Sequence, residues 1–244
     1  MFNLSKADFR SPLGKLLRLP LKIIPAKTVL PVIQGPLKGK KWIKGSSING
    51  CWLGTYELDK QLLFQKEIKS EMIIYDVGAN VGFYSLLASV LTGDNGKVFS
   101  FEPLPENLYY LKKHIELNSL ENIKIIEKAV VDRTSTTYFT ASDNRSKSHL
   151  SNNGEIKVET ISLDEFIAQG NPQPDLIKMD IEGSEFDALI GTRGLLKSKK
   201  SVIFLATHSA EIRVKCLKLM ADFGYTVKSV DNKPLDESDE FVCK

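Results

Sequence analysis

The sequence predicts an α/β protein built on a doubly wound, mostly parallel sheet, and three observations carry that prediction. Apolar runs of strand length recur at residues 72–77, 97–101, 123–126, 175–179 and 202–206. Helix-like segments separate the first three runs and again the last two, which is the βαβ alternation of a parallel sheet. A glycine turn, Gly78-Ala79-Asn80-Val81-Gly82, follows the first run and opens a helix, where sheets of this kind hold a nucleotide-like ligand.

Taken in order, residues 1–50 form an irregular arm punctuated by proline and glycine, with short strands expected near 28–33 and 40–44. A helix over 54–69 leads into the sheet. The helix over 82–91 is apolar almost all round, through Phe83, Tyr84, Leu86, Leu87 and Val90, as a helix buried behind the glycine turn would be. In the next helix Leu104, Leu108, Leu111 and Ile115 share one face, Lys112, Lys113 and Glu116 fall on the other, and Pro105 sits where a first turn accepts proline. His114 is assigned to the polar face of that helix, with no function. Residues 134–154 are polar and of low complexity. Residues 225–230 and 240–243 read as two strands joined by a turn, which end a seven-stranded sheet with an antiparallel member.

A chain of 244 residues suits one such domain, and 42% hydrophobic with 26% charged residues argues for a globular protein over extended disorder. Cys51, Cys216 and Cys243 are an odd set without metal or disulfide spacing, so packed thiols in a reducing, cytoplasmic compartment are expected. Prolines at 20, 25 and 31 break the apolar N-terminal stretch, which therefore reads neither as a signal peptide nor as a spanning helix. Charge is unevenly placed. Residues 1–45 hold ten basic side chains, Lys6, Arg10, Lys15, Arg18, Lys22, Lys27, Lys38, Lys40, Lys41 and Lys44, against Asp8 alone, a net of +9. The remaining 23 basic and 29 acidic residues leave the rest at −6. A solvated basic face is the plain reading; an acidic substrate, peripheral contact with an anionic membrane surface, or nucleic acid are the functional ones.

Three motifs carry chemistry. In the glycine turn, Gly78 and Gly82 allow a sharp bend and a close approach of backbone to ligand. A dinucleotide fingerprint needs glycine where this chain has Asn80 and Phe83, so a nicotinamide cofactor is disfavoured. Glu102 ends the next strand twenty residues beyond Gly82, the position of an acid that binds ribose hydroxyls. Asp180 and Glu182 follow the strand at 175–179 and open a helix through Gly183, so they are expected to face the same crevice as Asp76 and Glu102.

These residues resemble the FkbM methyltransferase family. The resemblance is carried by Gly54-Thr55-Tyr56-Glu57, Asp76-Val77-Gly78-Ala79-Asn80 with Gly82, Tyr84 and Ser85, Phe101-Glu102-Pro103 with Pro105, Leu163-Asp164, and Lys178-Met179-Asp180-Ile181-Glu182-Gly183 with Glu185, spanning residues 54–208. It implies a class I methyltransferase (Rossmann-like) domain over 54–244, with 1–53 as arm and substrate cap, and S-adenosylmethionine as cofactor. It further implies that Asp76, Gly78, Asn80 and Gly82 surround the methionine part, that Glu102 binds the ribose, that Tyr56 and Glu57 stand near the entrance, and that Ala79, Pro103 and Asp180 also bind the cofactor. The chain departs from the family at Phe204-Leu205-Ala206-Thr207-His208, where His208 is kept but Ala206 replaces the usual acid.

The reaction expected is O-methylation of a hydroxyl on a sugar, glycan or natural product. Such a displacement needs an aligned acceptor oxygen and a group that takes its proton. His208 is the only histidine predicted at a strand end beside the crevice, so it is assigned as base, assisted by Asp180 or Glu182. A divalent metal on Asp180, Glu182 and His208 is the lesser alternative, and no metal is assigned. His149 is a weaker candidate for substrate contact. Two rivals are weighed. A nucleic-acid methyltransferase is disfavoured because the Asp180 strand lacks an asparagine-proline-proline-aromatic element, no Pro-Cys pair occurs and the arm has few aromatics. A scaffold of the same fold without chemistry is disfavoured by the intact carboxylates.

Overall fold

The computed structural model describes residues 21, 23–140, 149–151 and 156–244. In the arm, β1 (Val29–Pro31) and β2 (Lys41–Ile43) pair antiparallel and lead to α1 (Asn49–Leu53) and α2 (Leu58–Glu67). The first half of the central sheet follows as β3 (Ile73–Val77), α3 (Phe83–Thr92), β4 (Lys97–Phe101), α4 (Pro105–Asn118) and β5 (Ile123–Ile126). A separate four-stranded sheet is inserted next, from β6 (Ala129–Val130), β7 (Ser135–Thr140), β8 (His149–Ser151) and β9 (Ile156–Ile161). The second half comprises α5 (Leu163–Ala168), β10 (Leu176–Met179), α6 (Glu185–Ile190), α7 (Arg193–Ser198), β11 (Val202–Ala206), α8 (Ala210–Asp222), β12 (Val227–Ser229) and β13 (Glu240–Cys243).

The seven central strands lie in the order β12-β13-β11-β10-β3-β4-β5. All neighbours pair parallel except at β13, which runs antiparallel between β11 and β12. The antiparallel strand expected at the end of the sheet is thus last in the chain, while β12 holds the edge. Chain order reverses between β3 and β10, the place where open sheets of this kind bind their ligands.

Strand alternation sorts the core into two layers. Tyr75, Val77, Phe99, Phe101, Ile177 and Met179 face α5, α6, α7 and α8, while Ile74, Val98 and Leu176 face α3 and the arm. The apolar helix α3 is buried from Phe83 through Ser89, as its composition requires. Cys51, Cys216 and Cys243 are buried free thiols, and burial pushes each up to about 12. In the polar stretch from Thr134, where the sequence suggests no strand, β7 pairs antiparallel with both β8 and β9. The expectations placed on the His149 side chain, on Lys6, Arg10, Lys15, Arg18 and Lys22, and on the rest of the 141–148 and 152–155 segments lie outside the described residues. No helix among the described residues is long and apolar enough to cross a membrane.

His114 corrects its sequence assignment. It is fully buried, with its ring stacked on Trp42 at 3.9 Å. Its Nδ1–H donates to the Val81 carbonyl at 2.8 Å and its Nε2 accepts from the Ile43 N–H at 3.1 Å. One neutral imidazole therefore ties the arm to the glycine turn, with Asn118 pairing both backbone groups of Lys41 alongside. The helical pattern placed it outward because the arm that covers that face comes from far away in sequence. Burial lowers its pKa to about 4, against the hydrogen bond to Val81. The folded pKa lies below the unfolded one of about 6.5, so the stabilisation is complete above pH 6.5 and is lost as pH falls to 4. That linkage amounts to on the order of 3 kcal/mol. Urea unfolding between pH 7 and pH 4 should therefore show a loss of stability that His114→Gln largely removes.

Candidate active site

A row of polar side chains runs across three neighbouring strands at the crevice. Lys178, Asp76 and Ser100 are register partners on β10, β3 and β4. The Ser100 hydroxyl donates to Ser85 Oγ at 2.7 Å, and Ser85 donates to Asp76 Oδ2 at 2.6 Å. Lys178 Nζ donates to the Gly78 carbonyl at 2.8 Å and lies 3.3 Å from Asp76 Oδ1. Burial alone would lower the Lys178 pKa, but Asp76 and Asp180 outweigh it and hold the ammonium above its ordinary value. Asp76, which the resemblance places beside the cofactor, is thus buried beneath the turn and holds Lys178.

The glycine turn is supported from within. Gly78 N and Ala79 N both donate to the Phe101 carbonyl, Asn80 N donates to Glu102, Val81 N to the Asn80 side chain and Gly82 N to the Ala79 carbonyl. At Gly78, φ is +79° and a Cβ would sit 2.0 Å from the Asp180 carbonyl. At Gly82, φ is +97° and a Cβ would sit 2.5 Å from Leu111. Both glycines serve close approaches between protein segments.

A cavity of about 620 Å³ opens over this turn, within the range of about 300–1,000 Å³ usual for small-molecule sites. Of the residues singled out from sequence, Tyr56, Gly78, Ala79, Asn80, Glu102, Pro103, Asp180 and Glu182 line it; Glu57, Asp76, Gly82 and His208 do not. Glu57 is turned to the protein, accepting from the Tyr84 hydroxyl at 2.8 Å and pairing with Lys60 at 3.3 Å. The arm adds Ser46, Ser47, Ile48 and Cys51 to the wall, and the inserted sheet adds Phe139.

The end toward β4 is built around Glu102. Glu102 accepts from Asn80 N at 2.8 Å, Leu104 N at 2.9 Å and Asn107 Nδ2 at 3.2 Å. Burial pushes its carboxyl up against those three hydrogen bonds. Three donors leave one of about four acceptor sites for a hydroxyl. Leu104, Ala129, Val130 and Phe139 supply an apolar wall beside it.

The other end is acidic. Lys60 Nζ, buried, lies 2.7 Å from Glu240, 3.3 Å from Glu57 and 3.8 Å from Asp180. Burial opposes its charge, but Asp180, Glu57 and Glu240 raise the pKa above the ordinary lysine value. Burial works against the Asp180 charge as well, yet Lys178, Lys60 and His208 hold its carboxyl below the usual range. Glu182, in the left-handed region at φ 54°, has its carboxyl raised, chiefly by burial. His208 stands behind these two, with Nδ1 2.7 Å from Glu185 Oε1 and Nε2 3.4 Å from both Asp180 and Glu182. Burial would lower its pKa, but the Glu185 hydrogen bond and the three carboxylate charges raise it to about 9. With Ala206 in place of an acid on β11, Glu185 on α6 supplies the carboxylate that orients this ring. His208 thus corrects its assignment as base: it is off the cavity wall and holds its proton at neutral pH.

Sequence reasoning assigned no role to Lys60, Lys178, Glu185 or Glu240. A lysine inside an apolar strand, as at 178, is a readable signal because lysine is seldom buried unpaired. Lys60 lies in an ordinary helix and carries none.

A parallel sheet in this order, a glycine turn after its first strand and an acid ending the second define an S-adenosylmethionine-dependent methyltransferase of class I. Residues 76–227 match the methyltransferase FkbM domain, and the chain belongs to that family. It is 27% identical over 190 residues to the hexuronic acid methyltransferase AglP of Haloferax volcanii, covering 76% of this chain and 75% of that one. It is 26% identical over 155 residues to the 2-O-methyltransferase NoeI of Sinorhizobium fredii, covering 55% of this chain and 63% of that one. The structure of an FkbM methyltransferase from Methylobacillus flagellatus resembles its fold with a TM-score of 0.53 at 19% identity, over 72% of this chain and 44% of that one.

Two outcomes test the site. Gly78→Ala should destabilise the protein by about 2–5 kcal/mol in thermal unfolding, from left-handed strain and the contact with Asp180. Calorimetric titration with S-adenosylhomocysteine should give micromolar binding that Glu102→Ala weakens at least about tenfold, the worth of one charge-assisted hydrogen bond.

Proposed function

We propose that this protein O-methylates a hydroxyl group of a sugar, with Glu182 receiving the hydroxyl proton. The observation that carries this reading is the pair of carboxylates, Asp180 and Glu182, on the cavity wall at the end opposite Glu102. When bound, S-adenosylmethionine supplies a methyl group on a cationic sulfur, which an oxygen nucleophile can take. The chain's own residues must then hold the acceptor oxygen in line and accept its proton.

The two carboxylates divide that work because their surroundings push them apart. Asp180, held ionised between Lys60 and Lys178, suits a hydrogen bond that orients the acceptor hydroxyl. Glu182 has no lysine or arginine partner among the described residues, and its raised carboxyl pKa makes it the better proton acceptor. His208, fixed by Glu185, is a positioning residue for both.

A sugar acceptor is supported by the relatives named for hexuronic acid methylation and 2-O-methylation. The basic arm, +9 over residues 1–45, suits an acidic sugar or an anionic membrane surface that carries the acceptor. Transfer of a labelled methyl group to glycans containing hexuronic acid tests the reading. Glu182→Gln should lower kcat by about 10²–10⁴-fold, the usual worth of a proton-transfer group, with S-adenosylhomocysteine binding unchanged. Full activity in that variant, or no transfer to any hydroxylated glycan by the wild type, would overturn it.

A further inference from the structure

We propose that Asp180, Glu182 and His208 form a binding site for one divalent metal ion on the cavity wall. The ligand atoms lie within 4.8 Å of one another, with His208 Nε2 3.4 Å from Asp180 Oδ1 and 3.4 Å from Glu182 Oε2. Metal bonds of about 2.0–2.2 Å set adjacent donor atoms about 3.0–3.5 Å apart. Among the described residues Nε2 makes no hydrogen bond, whereas Nδ1 makes a short one to Glu185. The three ligand atoms therefore lie close enough to share one ion, with neither carboxylate hydrogen-bonded to Nε2.

Two independent features separate this group from an ordinary ion-pair cluster. Glu185 is fully buried, and its Oε1 collects His208 Nδ1–H together with the N–H groups of Ile181 and Gly183. Metal-bound histidines are oriented in this way, by a carboxylate on the nitrogen remote from the ion. Glu185 Oε2 has no hydrogen-bond partner, so a buried carboxylate oxygen left unpaired backs the ring. The second feature is a contrast within the same site. Asp180 also belongs to a trio with Glu57 and Glu240, and there the Lys60 ammonium already fills the place of a cation. In the trio with Glu182 and His208 no lysine or arginine pairs with Glu182 among the described residues, and the one cation between the carboxylates is the imidazole proton on Nε2, which a metal ion would displace.

One imidazole nitrogen with two carboxylate oxygens is a mixed donor set that suits Mn²⁺ or Zn²⁺ better than an all-oxygen calcium cage. Asp180 and Glu182 line the cavity, so remaining coordination positions would face an acceptor oxygen, whose hydroxyl a cation there would make more acidic. The site rests on these side chains alone and stands apart from the sugar reading.

Titration of chelator-treated protein with Mn²⁺, followed by the electron paramagnetic resonance of the free ion and by Zn²⁺ competition, tests it. The wild type should bind one ion per chain with micromolar affinity. Glu182→Gln and His208→Gln should each weaken binding at least about tenfold, and Glu185→Gln by about 10–100-fold through loss of orientation. Glu211→Gln, exposed on α8, should leave binding unchanged, and circular dichroism should show every variant folded. Mn²⁺ and Zn²⁺ both unbound at millimolar concentration, or binding unaltered in both Glu182→Gln and His208→Gln, would overturn the site. Methyl transfer is not read in this experiment, so either proposal can fail without the other.

Discussion

Lys178 places an ammonium in the middle of a central strand, and the crevice is built around the need to satisfy it. A buried charge of this kind survives only with opposite charge and hydrogen bonds in place. Asp76 on the neighbouring strand supplies the charge, and Ser85, itself held by the Ser100 hydroxyl, donates to the other carboxylate oxygen of Asp76. The Gly78 carbonyl accepts from the lysine, which pins the turn directly above. Because Gly78 also lies against the Asp180 backbone, the ends of β3 and β10 are locked at the point where the sheet reverses its order. Every cavity residue on those two loops inherits its position from this lock.

The acidic end of the cavity follows from what the lock leaves over. Asp76, Glu57, Asp180, Glu182, Glu185 and Glu240 outnumber the two buried lysines, Lys60 and Lys178, and the single imidazole of His208. Asp180 lies between both lysines, while Glu182 stands away from them in a left-handed backbone conformation. Such a conformation in a non-glycine residue persists where the surroundings over-determine it, and these places are commonly functional. The cavity thus carries two carboxylates of unlike character at one end and a hydrogen-bonded carboxylate, Glu102, at the other. A cationic cofactor with a ribose in its middle is the ligand such a distribution suits.

The arm is part of this construction. Trp42 stacks on His114, and His114 in turn holds the Val81 carbonyl beside the glycine turn. Residues 46–48 and Cys51 then reach the cavity wall. The arm and the glycine turn therefore meet across one buried imidazole, and the inserted sheet adds Phe139 to the same cavity wall.

Strands at 97–101, 123–126 and 202–206 were legible residue for residue, because apolar runs and their spacing are local properties that a parallel sheet imposes on each strand separately. The glycine turn, Glu102, Asp180 and Glu182 were legible for a related reason: chain direction alone carries the end of each parallel strand to one edge of the sheet. Tertiary structure decided everything that depends on a distant partner. It turned His114 inward under the arm, withdrew Asp76 and Glu57 from the cavity onto Lys178 and Lys60, and fixed His208 on the buried Glu185 beside Asp180 and Glu182. Local pattern states which residues are apolar and where strands end; whether a charged side chain meets solvent, a ligand or an opposite charge is settled by segments a hundred residues away, brought together by the packing of the sheet.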